Sequence, residues 1–239
     1  EEHAFSQSDV RLLQTLANSM SVALENARLF NETQRLLKET EQRAGELGII
    51  NSVQQGLASK LDVQSIYELV GDTFDNFFNA QVVVISAYDA QTNTVEHRYA
   101  IERGRRIPWP GAHPPGGFRD QIIHTRKPFL VNTNVGDIAV RLNQPILQGT
   151  DTPRSWLGVP IITGDAVTGI LSVQNLDREN AFDESDIRLL QTFASSMSIA
   201  LENARLYKQA RQLAVLEERQ RLARELHDSV TQSLYGISL

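Results

Sequence analysis

The 239-residue sequence contains no cysteine. That absence excludes disulfides, thiolate zinc sites, iron–sulfur clusters and thioether-linked chromophores. Long apolar runs are missing too: the longest reach about four to six residues, far short of a bilayer span. Glu1 to Phe5 have neither a basic region nor an apolar core, so no secretory signal is read there. Positive charge is in the minority. Lys and Arg total 23 against 29 Asp and Glu, for a net charge of −6 and a pI near 5.4, which argues against a nucleic-acid surface. The glycines between residues 103 and 117 lack the Gly-Lys-Ser/Thr ending and the flanking strand of a phosphate-binding loop. What remains is 41% hydrophobic and 22% charged. That is the composition of a globular chain with one sizeable core plus helical extensions, or of two small domains.

Residues 5–30 recur at 182–207 without a gap, an offset of 177 (182 − 5), and roughly three-quarters of the positions are identical. A repeat implies the same structural unit twice. Both copies open as a helix does, with Ser6 or Asp183 at the N-cap and Asp9 or Asp186 three residues on, as in a capping box. Phe5 or Phe182 is placed to staple onto Val10 or Ile187. Nothing stands ahead of the first copy, so the chain is expected to be a fragment that keeps only the last helix of a preceding domain.

From Asn31 to about Leu61 helix formers dominate, with Gly45, Gly48 and Gly56 as weak points. Leu37, Ala44, Leu47 and Ile50 make a narrow apolar stripe. It suits a parallel two-stranded seam; the other reading is a solvated linker helix. Residues 62–80 continue as an amphipathic helix. The period then changes to a strand over 81–89, a turn, and a second strand over 94–102. A loop over 103–117, a short helix over 118–124, a short strand over 127–131 and a long loop over 132–153 follow. Ser155–Val173 reads as a hairpin turning at Gly164 and Asp165. From about Glu184 to at least Thr231 no residue breaks a single helix, and Leu206, Leu213 and Leu216 give it a narrow seam. Hairpin-linked strands with helices at both ends predict an α+β fold, an antiparallel sheet with the terminal helices on one face.

Three stretches sharpen this: Pro115–Phe118 with His124–Asn132, Trp156–Ile161 with Gly169–Gln174, and Phe182–Leu190. With them the chain resembles a GAF domain, the small-molecule-sensing fold of signalling proteins, over about residues 46–206. The resemblance implies a ligand site on the sheet face away from the terminal helices, under the two long loops. Candidates there are Tyr99, Arg103, Phe118, Arg119, His124 and Trp156, with His113 and Arg141 beside them. Core packing for the aromatics and solvation for the loop arginines are the competing readings. Haem on His124 is disfavoured, and covalent bilin fails for want of Cys. The cyclic-nucleotide signature is broken, because Ile187 stands where it needs Glu and no Asn-Lys pair precedes it. An empty or purely structural pocket is favoured over an unknown small ligand, and no cofactor is assigned to this chain.

The tail carries Leu222, Leu226, Val230 and Leu234 at helical spacing, with Ala223 beside them and charge on the other faces. His227 lies at the margin of that stripe between Glu225 and Asp228. Neutral imidazole offers a lone pair for attack, and an adjacent carboxylate can orient the ring or take its proton. Spacing alone leaves such a His as ordinary solvated surface. The run from Glu218 to Gln232, however, resembles the phospho-acceptor box of sensor histidine kinases of the nitrate-sensor-like subfamily. The resemblance implies that His227 takes the γ-phosphoryl of ATP, that Asp228 assists its deprotonation, and that Gln232 positions water when a response regulator is dephosphorylated. It also implies ATP and Mg2+ on a kinase lobe. This chain has no Asp-x-Gly-x-Gly, so alone it is expected to be inactive.

The expected organisation is a last helix of a preceding GAF domain (1–30), a helical linker (31–45), a GAF domain (46–206), a signalling helix (207–217) and the start of the dimerisation and acceptor helix (218–239). Expected partners are a second copy through parallel helices, a response regulator and the protein's own ATP-binding domain, in the cytoplasm, without nucleic acid. Two rivals stand beside this reading. One is a ligand-binding or scaffolding module that only dimerises. The other is a metal phosphohydrolase built on the His227-Asp228 dipeptide, which needs further ligands that His3, His97, His113 and His124 are too scattered to supply.

Overall fold

The computed structural model describes residues 6–58, 62–77, 81–108, 111–144 and 150–237, without the side chains of 41–44, 46, 49, 58, 75–77 and 226–237. It divides into two units, residues 1–49 and 50–239, each taken by itself.

The first unit is one helix, the bulk of α1 (Gln7–Ala58). Its start is a reciprocal capping box: the Asp9 amide donates to Ser6 Oγ at 3.3 Å and the Ser6 amide to Asp9 Oδ2 at 2.8 Å. The proposed staple partner Phe5 lies outside the described residues. The helix runs through Gly45 and Gly48 unbroken. Among the described residues of this unit the large apolar side chains, Leu12, Leu13, Leu16, Met20 and Leu24 among them, are exposed.

The second unit holds the core. After α2 (Val63–Phe77) come β1 (Val82–Asp89), β2 (Thr94–Glu102), a two-residue β3 (Arg105–Arg106), α3 (Gly117–Thr125), β4 (Phe129–Val131), α4 (Val135–Arg141), β5 (Ser155–Thr163), β6 (Ala166–Asn175) and α5 (Glu184–Ile237). The six strands form one antiparallel sheet in the order β3-β2-β1-β6-β5-β4. Two differences from the sequence expectation stand out. Residues 132–153 are not all loop, because they contain α4, and β3 extends the sheet edge. The β5–β6 hairpin turns at Gly164, whose φ of +62° glycine adopts without steric cost.

Alternation along the strands sorts the two faces. Val83, Ile85 and Tyr99 turn toward α2 and α5, where Phe74 and Phe193 meet edge to face, ring centroids 4.7 Å apart. Leu190, Phe193, Ala194 and Met197 of α5 are buried there. Ser198 Oγ donates to the Ile162 carbonyl at 2.6 Å and ties α5 to β5. Val82, Val84 and Ala100 face the other way, under α3 and the loop that precedes β5.

Candidate functional site

A cavity of about 320 Å³ opens on the sheet face opposite α2 and α5. Its floor is Val82 and Val84 of β1 with Gln174 of β6 and Trp156 of β5; its walls come from Phe118 and Arg119 of α3, Val135 and Ala139 of α4, Ile107, and residues 150–153. Helical geometry explains α3's contribution. Phe118, Arg119 and Ile122 share its buried face, whereas His124, five residues after Arg119, lies about 140° further round. Phe118 stacks obliquely on Trp156 with centroids 5.0 Å apart. The Gln144 side chain accepts from the Phe118 amide at 2.8 Å and so holds the start of α3.

Arg119 is the unusual member. Its side chain is 4% exposed, its Nε has no hydrogen-bond partner, and no carboxylate among the described residues pairs with it. Burial pushes its pKa down to about 10, so the guanidinium stays charged at neutral pH. Beside it is His97, whose pKa is pushed down to about 2, first by burial, then by the Arg119 charge and by His113. His97 Nδ1 lies 2.6 Å from Ser86 Oγ, its Nε2 lies 3.3 Å from His113 Nε2, and His113 Nδ1 lies 2.9 Å from the Pro114 carbonyl. A carbonyl only accepts, so His113 donates from Nδ1, and in that neutral tautomer its Nε2 is an acceptor. His97 then donates from Nε2 and accepts at Nδ1 from the Ser86 hydroxyl. One run of bonds therefore links Ser86, His97, His113 and the Pro114 carbonyl.

Of the residues the sequence nominated for a ligand, Phe118, Arg119 and Trp156 come together around the cavity. Tyr99 does not: its hydroxyl donates to Asp72 of α2 at 2.8 Å and its ring lies under Arg106, on the helix side of the sheet. Arg103 sits at the β2–β3 turn, paired with Asp177 at 3.2 Å. His124 is 73% exposed and bonds the Asp120 carbonyl at 2.8 Å, a surface position. Arg141 is exposed at the end of α4. Glu102, Asp137 and Asp151 at the cavity, and His97 with Ser86, are additions from the structure. A serine inside the β-branched run of β1 was the one signal in the sequence that could have pointed to that polar patch.

His227, Asp228 and Gln232 lie on the backbone of α5; their side chains are outside the described residues. The helix begins at a second capping box, where the Asp186 amide donates to Asp183 Oδ1 at 3.2 Å and the Asp183 amide to Asp186 Oδ2 at 2.8 Å. It continues without interruption for 54 residues. Among the described residues no cluster of His, Asp or Glu is placed to hold a metal ion. None of their helices is long and apolar enough to cross a membrane.

Residues 60–202 match the GAF domain family. The chain belongs to the GAF-domain family. Solved structures agree on the fold. One is a methyl-accepting chemotaxis protein segment, at TM-score 0.57 and 18% identity, matched over 65% of this chain and 98% of that one. Another is the GAF domain of an Acinetobacter phosphoenolpyruvate-protein phosphotransferase, at TM-score 0.53 and 16% identity, over 67% and 94%. Residues 218–239, downstream of the GAF domain, match the histidine kinase family. The chain is 41% identical over 81 residues to the sensor histidine kinase YhcY of Bacillus subtilis, a match covering 34% of this chain and 21% of that protein. It spans under a quarter of the length of the curated relatives it matches.

Proposed function

We propose that this chain is the sensory and dimerisation region of a two-component sensor histidine kinase, with His227 as phosphate acceptor. One observation carries the reading. The closing helix of the GAF domain, packed on its sheet through Leu190 and Met197, is also the helix that enters the histidine-kinase segment. On it, His227 attacks the γ-phosphorus of ATP and displaces ADP, Asp228 takes or orients the imidazole proton, and a response regulator then accepts the phosphoryl group. Asp228 and Gln232 are one turn apart and face one docked partner. ATP and Mg2+ are held by a separate lobe, and two copies pair through parallel helices. The exposed Leu206, Leu213, Leu216 and Leu222 support that pairing, since a seam left single bares its leucines to water. The exposed Leu12, Leu13, Leu16 and Met20 support the assignment of residues 7–30 as the closing helix of another GAF domain, because the same positions in α5, Leu189, Leu190, Phe193 and Met197, are buried.

A continuous helix can pass a change of rotation or register from the GAF domain to the acceptor. The test joins the chain to the ATP-binding lobe of the Bacillus subtilis relative and supplies radiolabelled ATP. Acid-labile, alkali-stable label is expected on wild type and not on His227→Gln. Gly-Pro pairs inserted at Gln212 are expected to keep the label but uncouple it from the GAF state. Label retained in His227→Gln would refute His227 as the acceptor, and a wild type that takes no label would leave the scaffolding reading in its place.

A further inference from the structure

The cavity holds a guanidinium with no direct ion-pair partner among the described residues. Arg119 is almost wholly buried in its wall, with Nε unbonded and no carboxylate in salt-bridge range among the described residues. A buried cation without a partner is destabilising, and a chain gains nothing from keeping one unless something arrives to pair with it. His97 cannot serve, because it is neutral and its two ring nitrogens are committed to Ser86 and His113. The remaining lining is mostly apolar: Val82, Val84, Ile107, Val135 and Trp156.

We propose that this cavity binds a small monocarboxylic acid, aromatic or branched aliphatic, with its carboxylate paired to Arg119 and its apolar body against Trp156 and Val84. The planar guanidinium matches a carboxylate in two parallel hydrogen bonds, and exclusion of water strengthens both. Size sets one limit. Liquid water occupies about 30 Å³ per molecule, so the cavity takes a ligand of roughly ten non-hydrogen atoms. Charge sets the other. Glu102, Asp137 and Asp151 line the same cavity, so the surplus negative charge of a phosphate ester or nucleotide is opposed more strongly than a single carboxylate that one guanidinium balances. The sequence reading favoured an empty or purely structural pocket; the unpaired Arg119 is the reason to depart from it. The proposal goes beyond the kinase reading and makes no use of His227, so ligand binding and phosphotransfer can fail separately.

The test uses the whole chain with benzoate, phenylacetate and 4-methylpentanoate, their neutral amides, and inorganic phosphate, read by thermal melting and tryptophan emission. At tenfold over Kd an acid is expected to raise Tm by about 3–6 °C. The amides and phosphate are expected to leave Tm unchanged. Arg119→Met is expected to lose the response to the acids while melting no lower than wild type, since it deletes an unpaired buried charge. The proposal is overturned if amides bind as well as acids, if phosphate binds more tightly than the acids, or if Arg119→Met keeps acid binding. It is also overturned if that variant unfolds or melts well below wild type, or if no acid binds at about 10 mM. The comparison of acid with amide on wild type needs no variant.

Discussion

Leu13 and Leu190 occupy the same position of one repeated helix, and the structure gives them opposite fates. Leu190 is 0% exposed beneath the sheet, whereas Leu13 is 59% exposed on α1. Leu190→Ala removes three buried carbons and leaves a cavity, a loss of about 2–5 kcal/mol. A loss of about 3 kcal/mol corresponds to a fall in Tm of about 6–12 °C for a domain of this size. Leu13→Ala removes atoms already in water and places the best helix former in a helix, so it is expected to stay within about 0.5 kcal/mol of wild type. Urea unfolding followed by far-ultraviolet circular dichroism, at two protein concentrations a decade apart, measures both. Equal losses in the two variants, independent of concentration, would refute the reasoning, because Leu13 would then be buried within the single chain. A loss for Leu13→Ala that grows on dilution would instead report its burial between copies.

His97 makes stability depend on pH. Its folded pKa lies below its unfolded one, so the stability it contributes is complete above about pH 6.5 and falls as the solution is acidified toward about pH 2. The slope reaches at most about 1.4 kcal/mol per pH unit, and His97→Asn is expected to flatten that part of a Tm-against-pH curve; an unchanged curve would remove His97 from the account. The close helix–sheet contact at Gly71 gives a third expectation. A Cβ there overlaps the Tyr99 ring, so Gly71→Ala is expected to cost about 1–3 kcal/mol in urea unfolding. In α4 the nearest atom to a new Cβ at Gly136 is Thr152 Cγ2 at 3.9 Å, and Gly136→Ala is expected to stabilise by up to about 1 kcal/mol. The opposite order would invalidate the packing described for α2.

Much of the fold was legible from local pattern. The strands over 82–89 and 94–102, the hairpin turning at Gly164, both capping boxes and the unbroken α5 all follow from periodicity, β-branching and turn chemistry acting over a few residues. The cavity was only half legible. Phe118, Arg119 and Trp156 were nominated and meet, but Tyr99 was nominated and turns away. The reason is a bulge: β1 and β2 slip register between Ile85 and Ser86, so Ser86 pairs with His97 while Ile85 pairs with Tyr99. One extra residue inverts which side chains reach each face, and the alternation of β2 read alone carries no mark of it.

By itself the sequence determined where most helices and strands form, α4 and β3 excepted, that one helix is written twice, and that a histidine with its following acid lies on the continuation of the second copy. Those properties depend on neighbours a few residues away. The tertiary structure decided which copy of the helix is buried, which side of the sheet His97 joins, and that Arg119 ends inside a cavity with no carboxylate in salt-bridge range among the described residues. Burial and pairing depend on surfaces supplied by residues far along the chain, and two nearly identical stretches therefore come to different ends.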